Sequence, residues 1–239
     1  MTIEEMHVSF RELAQQMGMQ TTRAILIEDI DICLNFAIIT KARSILYENV
    51  QTLFSDKVAA QNAVISPING LRTLYSQKDV AASSITGTGT EVSPYQITLQ
   101  TNAIEPNTKV MLYTGFKVSY NNKTMYDCRL IENENLGQTL RDFCNRAAKD
   151  APIVTTLGTY DTLTVNIYTG RDDMPKPSLV RVLYIREPKK VKFDEDVVAN
   201  RVDCDMPTHL HAEIVETAVN YYLRSISPGS SNNNNNRNN

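Results

Sequence analysis

Phe116-Lys117-Val118-Ser119-Tyr120-Asn121-Asn122-Lys123-Thr124-Met125-Tyr126-Asp127-Cys128-Arg129-Leu130 decides the fold, because it reads as two alternating strands about a polar turn. Phe116, Val118 and Tyr120 alternate on the first strand; Tyr126, Cys128 and Leu130 alternate on the second. A two-residue Asn121-Asn122 turn pairs Val118 with Met125 and Phe116 with Asp127, which places a charge on the apolar face. A three-residue loop, Asn121 to Lys123, pairs Tyr120 with Thr124, Val118 with Tyr126 and Phe116 with Cys128. A one-residue slip turns every side chain over, so the register that keeps the faces consistent is the expected one. Asn tolerates the left-handed backbone that such a loop needs.

Downstream, Leu136, Leu140, Phe143, Cys144 and Ala147 recur at helical spacing and predict an amphipathic helix that ends before Pro152 and covers a sheet face. Leu163, Val165 and Ile167 alternate with polar residues, while Leu179 to Ile185 is apolar except for Arg181, the signature of a central strand. Gly170 to Pro177 between them is an exposed, mixed-charge loop. Upstream, a short helix is expected within Phe54 to Val64, and Ser66-Pro67-Ile68-Asn69-Gly70 is a turn. Ser83 to Thr90 is small, polar and Gly-rich, either a strand edge or a loop. It lacks the Gly-Lys-Ser/Thr and the following helix of a phosphate cradle.

Both ends are helical. Thr2 and Glu5 fit a capping box, and Ile3, Met6, Phe10, Leu13, Ala14 and Met17 form an apolar face before Gly18 stops the helix. A second helix from about Glu28 to Tyr47 carries Ile30, Leu34, Ala37, Ile38 and Ile45 on one stripe, with Lys41 and Arg43 towards the end that favours cations. Pro207 opens a last helix whose apolar side is Leu210, Ile214, Ala218, Tyr221 and Tyr222. The fold class is therefore α+β: an N-terminal helical hairpin and a C-terminal helix flank a mainly antiparallel β domain with one packed helix. The expected division is 1–80 helical, 81–206 β-rich, 207–226 the last helix, and 227–239 an Asn-rich tail with too little apolar surface to order itself.

With 239 residues, 42% of them hydrophobic and 21% charged, the chain can bury a core without a staple. A net charge of -3 gives no global attraction to nucleic acid, which rests on Lys and Arg neutralising phosphates. Cys33, Cys128, Cys144 and Cys204 show no Cys-x-x-Cys spacing, so reduced, buried thiols are expected. The N-terminus is acidic where a signal peptide would be basic, and no apolar run is long enough to span a bilayer, so no membrane partner is expected.

The densest cluster of chemistry-bearing residues is Asp203, Cys204, Asp205, His209 and His211. Two His at i and i+2 on a helix point about 200° apart and do not share a metal unless they sit before the first regular turn. His7 is the third and last imidazole, which leaves few nucleophile and base pairings, and no G-x-S-x-G or H-E-x-x-H is present. No catalytic, cofactor-binding or metal-binding residue is expected, and no enzyme. Three Lys precede Asp194-Glu195-Asp196 in the segment 187–205, a solvated charge run or a site of subunit-to-subunit pairing.

The N-terminal third, through Met6, Phe10 and Ile30-x-x-x-Leu34-Asn35-x-Ala37, and the last helix, through Pro207, His211, Glu213, Ile214 and Ala218, resemble the ring or connector proteins of crAss-like tailed phages. More distantly they are similar to head-to-tail adaptor and tubular tail proteins of short-tailed phages. The resemblance implies a virion protein made in the host cytoplasm. It forms a homo-oligomeric ring of the neck, commonly twelve-fold, between the portal and the neighbouring tail rings, with genome DNA passing through the lumen during ejection without sequence-specific contact. Phe10, Leu34, Leu210, Ile214, Ala218 and Tyr221 are the candidate interface. A tail tube, terminator or nozzle component is the alternative within this class; an α+β DNA-binding module using Lys189, Lys190 and Lys192 is the alternative outside it.

Overall fold

The chain is α+β in the computed structural model, which describes residues 1–17, 25–55, 69–105, 108–121, 123–159, 161–170 and 175–226. Expectations for Gly18, for residues 56–64 and 66–68, for Asn122, for residues 171–174 and for the Asn-rich tail lie outside the described residues. Two compact units emerge. A helical unit takes the described residues of 1–51, 68–73 and 188–239; a β unit takes those of 52–67 and 74–187.

In the β unit, β1 (Tyr75–Ala81), β8 (Leu179–Arg186), β3 (Val110–Ser119) and β4 (Tyr126–Asp127) form one sheet in the order β1-β8-β3-β4. The second sheet runs β2 (Tyr95–Gln100), β7 (Thr162–Tyr168), β6 (Ile153–Gly158), β5 (Arg129–Leu130). Every pairing is antiparallel except β5 with β6. The sheets share one core, in which Ile97, Phe116, Val118, Val154, Val165, Ile167, Val180, Val182 and Tyr184 are buried. Alternation explains part of this: Val180, Val182 and Tyr184 of β8 and Phe116 and Val118 of β3 take inward positions, with Arg181 and Lys117 between them on the other face.

The hairpin register holds. Val118 pairs with Tyr126, and Cys128 N–H donates to Phe116 O at 2.9 Å. In the loop, Asn121 Oδ1 accepts from the backbone of Lys123 and Thr124, an Asx-type turn. The second strand is not one strand, however. At Cys128 the chain leaves the first sheet, and Arg129 N–H donates to Pro152 O at 2.8 Å as β5 joins the other. Such a sheet switch makes a corner of a sandwich. The Leu179 strand is central as expected, flanked by β1 and β3.

On the outer face of the first sheet the register aligns Asp79, Arg181, Lys117 and Asp127 in one rung across all four strands. Arg181 grips Asp79 with two bonds of 2.7 and 2.8 Å, and Lys117 meets Asp127 at 2.8 Å. The Ser83–Thr90 stretch is a loop after a short 3-10 helix, Ala82–Ser84, and bridges back to β2 through Thr86 and Gln96. Gly87 and Gly89 have φ of +91° and +77°, and a Cβ on Gly87 would lie 1.9 Å from Pro94 O. Only glycine fits there.

The packed helix is shorter than expected. α3 spans Asn133–Arg141, while Phe143 and Cys144 are exposed beyond it. Asp142 breaks it: its backbone turns extended, and its carboxylate accepts from Cys144 N–H and the Asn145 side chain, a local competitor to the next helical turn. Leu136 and Leu140 still pack on Ala147, Ile153 and Tyr168, so the helix lies on a sheet face as expected, against β6 and β7.

In the helical unit, α1 (Ile3–Gln16) has the expected capping box, with Glu5 N–H on Thr2 Oγ1 and Thr2 N–H on Glu5 Oε2. α2 (Ile27–Ser55) runs past Tyr47 by eight residues, because Glu48 to Ser55 holds neither Gly nor Pro. A 3-10 turn, Thr208–Leu210, leads from Pro207 into α4 (His211–Ile226), which packs on α1. The expected division of the chain changes in two places. β1 starts inside the region read as helical, and the segment 188–206 belongs with the helices. The second change has a cause that propensity does not carry: half-buried polar side chains of α2 hold that segment.

Candidate interaction surface

Sequence reasoning offers Phe10, Leu34, Leu210, Ile214, Ala218 and Tyr221 as an interface. Phe10, Leu34, Ile214 and Ala218 have no exposed surface, and Leu210 is also buried. Phe10 meets the ring of Tyr222 edge-on at 5.8 Å between centroids. These five residues build the core of the helical unit; among the six, Tyr221 alone is partly exposed. The reason is the pairing of stripes: the apolar face of α4 finds α1 within the same chain.

Beside this core lies a half-buried polar clamp. Asp31 and Asn35 sit one turn apart on α2. Asn35 takes Val191 as a neighbouring strand would, accepting from Val191 N–H at 2.8 Å and donating to Val191 O at 2.9 Å. Asp31 accepts Phe193 N–H at 3.1 Å on one oxygen and meets His7 Nε2 at 2.8 Å on the other. A carboxylate only accepts, so that imidazole nitrogen carries the hydrogen. His7 is buried and lies 4.7 Å from the Phe193 ring, and the Arg201 guanidinium covers Phe193 at 4.6 Å. Asp31 and Asn35, polar at i and i+4 within the otherwise apolar run Ile30 to Ile39, are the signal that finds this clamp.

The charged run 187–205 is tied down within the chain. Asp203 Oδ1 accepts Ile3 N–H at 2.7 Å, Arg201 pairs with Glu4 at 2.7 Å, and Asp205 accepts Lys189 N–H. Lys192 and Val202 exchange backbone hydrogen bonds. Asp194 closes its own turn, accepting Val197 N–H and the Asn200 side chain; those bonds hold its carboxyl below the usual range. The basic side chains of Lys189, Lys190 and Lys192 remain exposed beside three carboxylates of 194–196.

The remaining chemistry-bearing residues do not converge. His211 is buried and donates to Met206 O at 2.8 Å, Cys204 is half-buried with its thiol pushed up to about 11 by burial, and Cys144 is exposed. The expected burial of the thiols holds for none of the four completely; Cys33, Cys128 and Cys204 are intermediate. Among the described residues no three His, Cys, Asp or Glu lie close enough to hold a metal ion, and no helix is long and apolar enough to cross a membrane.

What the unit does expose is the outer side of α2. Ile32 is 66% exposed, Phe36 55% and Tyr47 65%, with Leu26 exposed just before the helix. The Phe36 ring stands edge-on to Tyr221 of α4 at 4.6 Å. Lys41, on another side of α2, pairs with Glu213 of α4. A helix that is apolar on both sides has more apolar surface than one chain covers. No protein-family profile matches the chain, and no curated protein matches it significantly.

Proposed function

We propose that the chain is a structural, non-catalytic subunit of a ring in the neck or tail of a tailed-phage virion. One observation carries the reading. The residues behind the resemblance stand at opposite ends of the sequence, yet they belong to one helical unit, and many have a defined job in it. Met6, Phe10, Ile30, Leu34, Ala37, Ile214 and Ala218 are its core; Asn35 holds Val191, His211 holds Met206 O, and Glu213 pairs with Lys41. Unrelated amphipathic helices have no reason to carry both halves of such a set.

A closed ring joins unlike surfaces of identical subunits and needs further surfaces towards the rings above and below. The outer side of α2 and the exposed loops of the β unit are available for these contacts. In this reading the ring, commonly twelve-fold, stacks between the portal and the tail and surrounds the DNA exit channel. A mildly acidic chain is suited to a conduit, because strong phosphate binding would retard the genome. Negative-stain imaging of purified protein, with mass spectrometry of virions, is the test. Closed rings and presence in the particle are expected. Absence from the particle, together with salt-sensitive DNA binding lost on replacing Lys189, Lys190 and Lys192 by Glu, would replace this reading with a DNA-binding module.

A further inference from the structure

The exposed side of α2 has an internal order. At about 100° per residue, Asp29, Ile32, Thr40, Arg43 and Tyr47 all fall within about 40° of Phe36, so they form one straight stripe along the helix. Ile32, Phe36 and Tyr47 are more than half exposed, Arg43 is exposed, and Asp29 and Thr40 are partly so. The stripe carries an acid towards one end and a base towards the other, with Phe36 midway between them. Turned end for end about Phe36, it matches itself. Asp29 comes opposite Arg43, Ile32 opposite Thr40, Phe36 opposite Phe36, and Tyr47 opposite Ile25 and the exposed Leu26.

We infer that α2 docks on α2 of a second copy, antiparallel, about a two-fold axis through Phe36. The charge pattern selects both occupant and direction. A parallel pair would set Arg43 beside Arg43 and Asp29 beside Asp29, whereas the antiparallel pair makes two Asp29–Arg43 contacts at the rim of an apolar centre. Tyr221 braces the Phe36 ring at 4.6 Å, so little side-chain freedom is lost when the centre forms. The stripe from Leu26 to Tyr47 spans about 32 Å. One helix face per copy is small for a standard interface, so the association is reversible, with a dissociation constant on the order of micromolar or weaker. This contact joins like surfaces, whereas a cyclic ring joins unlike ones. The inference therefore concerns the free chain and does not rest on the virion reading.

Sedimentation of the full chain over a concentration series tests it. A monomer–dimer equilibrium is expected. Phe36→Asp leaves monomer throughout, Arg43→Asp weakens the dimer by about tenfold or more, and Asp29→Arg combined with Arg43→Asp restores it. These side chains are exposed, and far-ultraviolet circular dichroism identifies any variant that misfolds. As a second measurement, Phe36→Cys in a Cys33→Ser, Cys144→Ser background should form a 36-to-36 disulfide under mild oxidation, which only a two-fold centred there brings within reach. The inference is overturned by a chain that stays monomeric at its highest attainable concentration. It is equally overturned by a charge exchange that fails to restore association, or by self-association that Phe36→Asp leaves unchanged.

Discussion

α4 and α2 are helices of the same unit with opposite surfaces. α4 buries Ile214, Val215, Ala218, Val219 and Tyr222 and turns Glu213, Glu216 and Arg224 outward. α2 buries Ile30, Leu34, Ala37, Ile38, Ala42 and Leu46 and still shows Ile32, Phe36 and Tyr47 to solvent. A helix with one apolar stripe is completed inside its own chain. A second stripe stays uncovered, and the buried stripe, though more conspicuous in sequence, says nothing about partners.

The largest effect that separates these faces is expected from Ile214→Asp. An unpaired charge in the α1–α4 contact costs several kcal/mol, enough to unfold the helical unit in thermal denaturation and, in the proposed virion reading, to prevent incorporation into particles. A stable, incorporated variant would break the comparison, because α4 would then not be a core helix. Next, Asn35→Ala removes both bonds to Val191 and leaves that backbone unpaired; about 1–3 kcal/mol is expected in urea unfolding, with faster amide exchange at Val191 and Phe193. Protection that survives there would show that α2 does not hold the segment through its side chains.

A smaller effect belongs to the β unit. Hydrogen bonding to Arg181 holds the Asp79 carboxyl below its ordinary value, partly offset by desolvation. A lowered folded-state value contributes stability above the unfolded value and loses it as pH falls through the folded one. Asp79 is exposed and Arg181 partly so, and solvent screens the pair; Asp79→Asn should therefore cost about 0.5 kcal/mol or less at neutral pH, and the difference should fade below about pH 4. A constant difference down to pH 2 would mean that packing, not charge, decides this rung. The smallest stability change is expected from Ile32→Ser on the outer stripe of α2, 66% exposed: within about 0.5 kcal/mol of the parent. A loss comparable to that of Ile214→Asp would erase the distinction between the two stripes.

Much of the fold is legible wherever one rule has no competitor. The hairpin register follows from keeping a charge off an apolar face, and Val118 does pair with Tyr126. The near-continuous apolar run of Leu179 to Ile185 marks an interior strand, which β8 is. The misreadings occur where two local preferences compete. Phe143 and Cys144 continue a helical period, but the Asp142 carboxylate satisfies the next amides outside a helix. Tyr126 to Leu130 alternates as one strand, but the chain changes sheets at Cys128, a long-range event without a local signature. The interface residues were chosen for being apolar, a property that core and surface contacts share, and periodicity alone cannot tell which stripe finds its partner at home. The clamp joins Asp31 and Asn35 to residues 156 and 162 positions away, beyond any window of sequence reading.

The cap on α1 has a consequence in time. Ile3 N–H is satisfied by Asp203, 200 residues later, and α1 packs on α4, later still. A ribosome adding about 5–20 residues each second needs about 10–40 s to cover that interval. Meanwhile β1 to β8 are delivered as one uninterrupted stretch and can close their sandwich. The first helices wait beside it with Met6, Phe10, Leu34 and the outer stripe of α2 all uncovered. Chains that stall before Asp203 therefore carry a finished β unit joined to adhesive helices, and they are the natural clients of chaperones and proteases. Translation through the last helix is what covers α1 and completes the helical unit.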